Sequence, residues 1–384
     1  MTDYENPVAS FGMDELLELA VEEGASDIHI TVNSPPMFRI HGNLTPLDLP
    51  LLTPEDTDRL MRSITSPENQ QAVREQGGVD FGFGFRDRAR FRVSVLKTKG
   101  NIGMVLRLIP NDLFPLDKIG LPEQIKELLF RPRGLILVTG PTGSGKTTTL
   151  YACLGQINKP DRKIITVEDP VEYQMSGINQ VAVHTDIGMT FAAALRAILR
   201  QAPNIVMIGE IRDLETAGIA TEAALTGHLV FSTLHTNDAP SAITRLLDMG
   251  VKSFLVASAL RAVMAQRLVR SICSECRGEY DPDVTEIRSL GLDPQQYQGA
   301  KLFKGSGCTR CNQSGYKGRK GIFEIFKLDD EIQQMIFDNR PARDLRARAR
   351  EMGMRTLRED GVRKVLAGIT TVSEVLRVTM GDEN

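Results

Sequence analysis

The sequence predicts an α/β protein: a parallel sheet covered on both faces by helices, preceded by a smaller α+β unit and carrying a cysteine-bearing insert near its end. Three observations predict it. From Gly134 onward, short fully apolar runs (Leu135–Val138, Ile164–Val167, Ile205–Ile208 and Leu229–Phe231) alternate with helical patterns, which is how strands buried on both faces read. Before them, the first hundred or so residues carry shorter runs split by Pro, Gly and Asn, the mark of antiparallel strands and turns. Between Ile109 and Pro122 the pattern breaks into PNDLFPLDKIGLP, a Pro- and Asp-punctuated linker.

In chain order, Met13–Glu23 places Leu16, Leu17, Leu19 and Ala20 at helical spacing, and Gly24 stops the helix. Strands are expected at Asp27–Val32, Met37–Ile40, Asp80–Phe85, Arg90–Leu96 and Gly103–Leu108, with a helix near Asp56–Ile64. The expected divisions are residues 1–112, a linker at 113–122, and a second domain at 123–384. The last includes the cysteine insert at 271–326 and a tail of charged amphipathic helices at 327–384. Ligand-binding motifs should then gather at the C-terminal ends of the parallel strands.

A chain of 384 residues is too long for one compact domain. With 41% hydrophobic and 25% charged residues, disorder and collagen are excluded. A net charge of −3 gives no global attraction to nucleic acid or anionic lipid, and the absence of Trp removes a tryptophan stacking platform. The start, Met1 to Phe11, lacks a basic, apolar leader pattern, and no run of about 18 uncharged apolar residues occurs, so a cytoplasmic chain is expected. Four of the five cysteines fall in two CxxC pairs, which in a reducing compartment points to metal.

The segment Gly140-Pro141-Thr142-Gly143-Ser144-Gly145-Lys146-Thr147 matches GxxxxGK[ST], follows the apolar strand LILVT and opens a helix that continues through Thr148. Its glycines let backbone N–H groups turn around phosphate oxygens, Lys146 can reach the β/γ oxygens, and Thr147 can ligate Mg²⁺. Nucleoside triphosphate binding is the expectation.

Ile205–Ile208 delivers Glu210 to the same sheet edge, where a carboxylate can polarise the attacking water; Asp213 is the simpler candidate for a helix cap. Ile164–Val167 ends in Glu168-Asp169-Pro170, a second acidic pair suited to metal and water positioning or to a solvated turn. His228 and His235 flank Leu229–Leu234, and His235 is placed to sense a γ-phosphate. Thr190–Arg200 reads as a helix with Arg196 and Arg200 on one stripe, and Arg90, Arg92 and Arg107 sit on expected strands of the first unit. By spacing alone these arginines are exposed and salt-bridging; an arginine supplied from outside a phosphate loop can also stabilise transferring phosphoryl charge.

Cys273-Ser-Glu-Cys276 and Cys308-Thr-Arg-Cys311 present four thiolates that can converge on one Zn²⁺ in a closed, structural site. A redox role is the rival, but no thioredoxin-like βαβ pattern surrounds either pair. Cys153, on the helix after the phosphate loop, reads as a small buried hydrophobe.

Taken together, GASDIHI (Gly24–Ile30), GPTGSGKTTTLY (Gly140–Tyr151), ITVEDPVEY (Ile165–Tyr173), LRAILRQAPNIVMIGEIRD (Leu195–Asp213) and TGHLVFSTLHTNDA (Thr226–Ala239) resemble the secretion and type IV pilus motor ATPases, the traffic ATPases of type II secretion and pilus systems. The resemblance implies a PAS-like N-terminal domain, a RecA-like P-loop NTPase domain and a homohexameric ring with ATP at domain and subunit junctions. It implies Walker A roles for Lys146 and Thr147 and the Walker B glutamate at Glu210. It also implies an Asp box at Glu168 and Asp169, a His box at His228 and His235, and nucleotide-facing roles for Arg92, Arg107, Arg196 and Arg200. The cysteines and the tail Met354–Thr379 resemble the assembly and secretion branch, whereas NSPPMFRIHGNL (Asn33–Leu44) and a start close to the PAS-like domain resemble retraction motors. The balance points to an assembly or secretion motor of shortened form, without a separate N-terminal docking domain, and with retraction as the alternative.

The expected mechanism is Mg²⁺-dependent ATP hydrolysis that sets the angle between two domains about the linker and moves an inner-membrane platform protein, with the motor peripheral to the membrane. Two other classes are a RecA-like nucleic-acid translocase, disfavoured by the net negative charge and few aromatics, and a nucleotide-gated scaffold, disfavoured by Glu210.

Overall fold

The computed structural model describes residues 11–40, 43–86, 88–109, 115–297, 299 and 301–380. Residues 1–10, within the start read above for a leader pattern, and the linker's first residues, 113–114, lie outside the described residues. The chain divides into two compact units, Met1–Asp112 with Pro170–Gln174, and Leu113–Asp169 with Met175–Asn384.

The first unit holds six strands: β1 (Asp27–Ile30), β2 (Met37–Ile40), β3 (Asn43–Pro46), β4 (Gly78–Phe85), β5 (Ala89–Thr98) and β6 (Asn101–Ile109). They form one sheet in the order β3-β2-β1-β6-β5-β4 with every neighbouring pair antiparallel. Alternation along β5 buries Phe91, Val93 and Val95 on one face with Ile28, Phe38 and Leu106. The opposite face carries a row of directly opposed residues, Gly82, Arg92, Arg107, Asp27 and Arg39.

Helices Met13–Glu22 and Pro54–Ile64 cover the apolar face through Leu16, Leu17, Leu60 and Met61. The second starts where Thr53 and Asp56 exchange capping bonds and Pro54 supplies a fixed φ. Two elements lacked a periodic signal: β3 is exposed along its length, and helix Pro67–Gln76 buries only Val73.

The second unit is built on β7 (Gly134–Thr139), β8 (Ile164–Glu168), β9 (Ile178–Ala182), β10 (Ile205–Ile208), β11 (Leu229–Leu234) and β12 (Leu260–Ile272), with a small hairpin of β13 (Arg277–Tyr280) and β14 (Leu302–Gly305), and finally β15 (Tyr316–Lys327). The main sheet runs β15-β12-β7-β11-β10-β8-β9. It is parallel from β12 to β9, but β15 joins antiparallel, so the expected parallel sheet is mixed.

Residues 316–326 of the expected insert therefore belong to the main sheet, where they pair along β12. A short helix, Leu116–Ile119, occupies part of the expected linker. Helix Phe191–Ile198 ends before Arg200, which falls in the 3₁₀ turn Leu199–Gln201; Arg196 and Arg200 thus do not share one helical stripe. The tail consists of helices Asp330–Phe337, Ala342–Glu351, Leu357–Leu366 and Val372–Thr379, as its charged amphipathic pattern predicts. No helix among the described residues is long and apolar enough to cross a membrane.

Candidate nucleotide site and tetracysteine cluster

The parallel register places four strand ends at one edge. Thr139 stands opposite Leu234, Ser232 opposite Ile208, and Ile208 opposite Val167. The phosphate loop after β7, Glu168 ending β8, Glu210 after β10 and His235 after β11 therefore leave the sheet on the same side. His228 precedes β11 and lies at the opposite end of the strand, seven residues from His235 and about 23 Å away at strand rise. There its Nδ1 is 3.0 Å from the Ala223 carbonyl.

The loop depends on its glycines. Gly140, Gly143 and Gly145 have φ of +150°, +78° and +86°, and a Cβ on Gly140 would stand 2.5 Å from the Gln266 carbonyl. The helix Lys146–Ile157 starts at the loop's end, so its N-terminal dipole faces the loop. Lys146 is buried and donates to the carbonyls of Gly140 (2.8 Å) and Pro141 (3.1 Å). Burial lowers its pKa; the Glu210 charge opposes the shift and Arg267 adds to it.

Around the loop, Ser144 Oγ, Thr149 Oγ1 and Gln266 Oε1 are buried without a hydrogen-bond partner. Buried polar atoms left in this state point to a polar ligand. A cavity of 330 Å³ adjoins the loop, lined by Ile119, Gly145, Thr148, Gln266, Leu268 and Lys320 among others. Pro141, Thr142 and Thr147 are exposed on the loop.

Glu210 is anchored from both sides of its backbone. Gly209 N–H donates to Val167 O (2.8 Å), Thr233 Oγ1 donates to Gly209 O (2.7 Å), and Ile211 N–H donates to Thr233 O (3.0 Å). Its side chain is 16% exposed, with Oε1 accepting from Arg212 at 2.5 Å and Oε2 3.3 Å from His235 Nε2. Burial works against ionisation, but the Arg212 bond and charge, with His235, outweigh it and hold the Glu210 pKa below its ordinary value. Asp213 caps the next helix through Thr216 N–H at 2.8 Å.

Glu168 is placed differently from Glu210. It is buried, and its oxygens accept from the Tyr151 and Thr166 hydroxyls and, at 3.3 Å, from Gln180 Nε2, while Asp169 is exposed. The arginines also have partners. Arg196 pairs with Glu215 (2.6 Å), Arg92 with Glu172 (2.9 Å) and Arg107 with buried Asp27 (2.8 Å); Arg200 is exposed.

Sequence reasoning missed Arg212, Gln266 and Arg267. Arg267 is buried and bonds Asn237 O (3.1 Å) and Oδ1 (3.3 Å), bracing the loop that carries His235. A basic residue two positions after an acid was the available signal for Arg212. Gln266 and Arg267 gave none, since their strand was not foreseen.

The four cysteines converge. Cys273, Cys276, Cys308 and Cys311 place their sulfurs within 4.8 Å of one another, with neighbouring pairs at 3.7–3.8 Å and no disulfide. A tetrahedral Zn–S distance of about 2.3 Å requires sulfur separations of about 3.8 Å, so the donor set fits a closed metal site. Burial opposes the Cys311 thiolate, but the N–H groups of Cys308 (3.2 Å) and Gly315 (3.3 Å) outweigh it and bring its pKa to about 6. Cys153 is buried and pushed up to about 12 by that burial, an inert thiol.

A family model described as "Type II/IV secretion system protein" matches residues 2–377. The chain belongs to this family. Among its relatives, the "Type IV pilus assembly ATPase PilB" of Thermus thermophilus is 45% identical over 379 residues, covering 95% of this chain and 42% of that protein. The "Type II secretion system protein HxcR" of Pseudomonas aeruginosa is 44% identical, covering 96% of this chain and 76% of that protein. The chain thus spans less than half the length of the first relative and about three quarters of the second.

Two solved structures share the fold. One is the pilus retraction motor PilT with bound ADP, with a TM-score of 0.79, 34% identity, and coverage of 98% of this chain and 99% of that one. The other is the Legionella pneumophila ATPase DotB, with a TM-score of 0.73, 25% identity, and coverage of 98% of each chain.

Proposed function

We propose that this chain binds ATP with Mg²⁺ at the phosphate loop, hydrolyses it, and works as the cytoplasmic motor of a type IV pilus assembly or type II secretion system. In this reading it forms a homohexamer, peripheral to the inner membrane, acting on a platform protein there and not on nucleic acid. The observation that carries the reading is the arrival of the phosphate loop, Glu210 and His235 at one sheet edge within a chain of this family.

Lys146 and the loop from Gly140 to Thr148, through the backbone N–H groups of its residues other than Pro141, hold the phosphates; the partnerless Ser144 hydroxyl beside them fits an anionic oxygen. Thr147 is the residue that would hold Mg²⁺, which supplies charge neutralisation at the phosphoryl oxygens when bound. Glu210 orients and polarises water, and His235 bonds its second oxygen. Glu168, with its hydroxyl and amide partners, positions the strand end against Tyr151 of the phosphate-loop helix. The family resemblance gives Arg92, Arg107, Arg196 and Arg200 nucleotide-facing roles, and the first three now pair with Glu172, Asp27 and Glu215. The four cysteines hold structural Zn²⁺.

ATP turnover by Glu210→Gln tests the centre of this reading. Loss of turnover on the order of 100-fold or more, with ATP still bound, is expected for a water-activating carboxylate. Turnover equal to the unmodified protein removes the assignment. Pilus retraction is the second reading, favoured by the likeness to a solved retraction motor. Deleting the gene and scoring piliation, twitching and protein export separates the two.

A further inference from the structure

This inference rests on Glu210 being the water-activating carboxylate. We propose that Arg212 is a positioning residue for Glu210: its guanidinium holds the carboxylate beside His235 and away from Lys146, leaving the acid to water and the lysine to phosphate.

The geometry separates two jobs. Bonds from Val167, Thr233 and Ile211 fix the backbone on both sides of Glu210, so only side-chain rotation remains. Arg212 lies two residues on, close enough for its guanidinium to reach the carboxylate. Its terminal nitrogen takes Glu210 Oε1 at 2.5 Å, while His235 stands 3.3 Å from Oε2, so the carboxylate is held at both oxygens.

The charged groups around it come from three elements: Arg212 from its own segment, His235 from the end of β11, and Lys146 from the phosphate-loop helix. Asp169, at the end of β8, acts on Arg212. Lys146 is held by the Gly140 and Pro141 carbonyls at 2.8 and 3.1 Å, and a direct pair with Glu210 would take it from these bonds and the acid from water. Arg212 supplies Glu210 with a competing cation. At 65% exposed, it is too peripheral to matter for the core.

The test measures ATP turnover of Arg212→Gln, Arg212→Lys, Glu210→Gln and the double variant Arg212→Gln/Glu210→Gln, each across pH. We expect Arg212→Gln to lower kcat on the order of tenfold with KM for ATP unchanged, because the lost contact orients the reacting group. Arg212→Lys should recover part of the rate. The acidic limb of kcat should move to higher pH in Arg212→Gln, since Glu210 has lost its principal cation. Adding Arg212→Gln to Glu210→Gln should cost nothing further.

Wild-type kcat and an unmoved acidic limb in Arg212→Gln, with Glu210→Gln inactive, overturn the positioning role and leave the assignment of Glu210 standing. A raised KM with kcat unchanged overturns it by making Arg212 a nucleotide contact. An active Glu210→Gln overturns both.

Discussion

The hydroxyls of Thr139 and Thr236 meet at 2.7 Å, tying the last residue of the strand that enters the phosphate loop to the segment that carries His235 away from the next strand. Thr139 Oγ1 also accepts the Thr236 N–H at 2.9 Å and lies 3.1 Å from the carbonyls of Leu234 and Thr236. One side chain thus joins the end of the strand entering the phosphate loop to the segment after β11 that carries His235. Thr139→Val keeps the shape and removes the bonds. It should cost about 1 kcal/mol, because a half-buried N–H loses its acceptor, and lower kcat more than it weakens ATP binding. Denaturant titration and steady-state kinetics check both halves; an unchanged stability would show that the Thr236 segment finds another partner.

Gly140→Ala tests the loop's backbone. The added Cβ would meet the Gln266 carbonyl at 2.5 Å and Ser144 Oγ at 2.6 Å, at a φ of +150° that other residues avoid. Strain of about 1–3 kcal/mol falls on the loop itself. ATP affinity, followed by calorimetry, should drop on the order of tenfold or more while the circular dichroism of the fold persists.

The sulfur separations predict one zinc per chain by elemental analysis, and cysteine-to-serine replacement at Cys311 should abolish it. Chelation should lower the melting temperature, because the metal would join the end of β12 to the β13–β14 hairpin and the start of β15. Metal content should fall on acidification as protons compete for the thiolates. A metal-free preparation with an unchanged melting curve would refute the site.

A pH effect on stability follows from Glu374. Its buried carboxylate accepts the Arg270 N–H (2.9 Å), the Arg270 guanidinium (2.7 Å) and Arg377 (2.9 Å), clasping the last helix to β12. Burial alone would raise its pKa, but the two arginines and the backbone donor bring it to about 2. A depressed folded-state pKa contributes stability above the unfolded value, near 4.5, and loses it as pH falls toward 2. Glu374→Gln should therefore be about 2–3 kcal/mol less stable than the unmodified protein at pH 7, and that difference should shrink as pH falls to 3. Urea melts at pH 7 and pH 3 give the comparison.

Much of the site was legible in the residues because its chemistry is local. A glycine-rich loop between an apolar strand and a helix, an acid two residues past an apolar run, and paired CxxC knuckles each carry their meaning within a dozen positions. What was not legible depends on partners far along the chain. The pairing of β12 with β15 spans the whole cysteine insert, and β12 interleaves Arg and Gln with its apolar residues, so its sequence does not read as a continuous buried run. Gln266 and Arg267 reach the phosphate loop and the His235 segment only because that strand lies beside β7.

The sequence alone determined the alternation of buried strands and helices, the phosphate loop, the metal-type spacing of the cysteines and membership of the type II/IV secretion system family, since periodicity and short motifs are properties of neighbouring residues. Tertiary structure decided which of two histidines reaches the phosphate edge. Both flank the same strand, and only its parallel alignment with β7 puts His235 beside Glu210 and His228 at the far end. It also decided that Glu168 is buried among hydroxyl and amide donors while Glu210 is held by Arg212 and His235, because the strands on either side determine each carboxylate's partners.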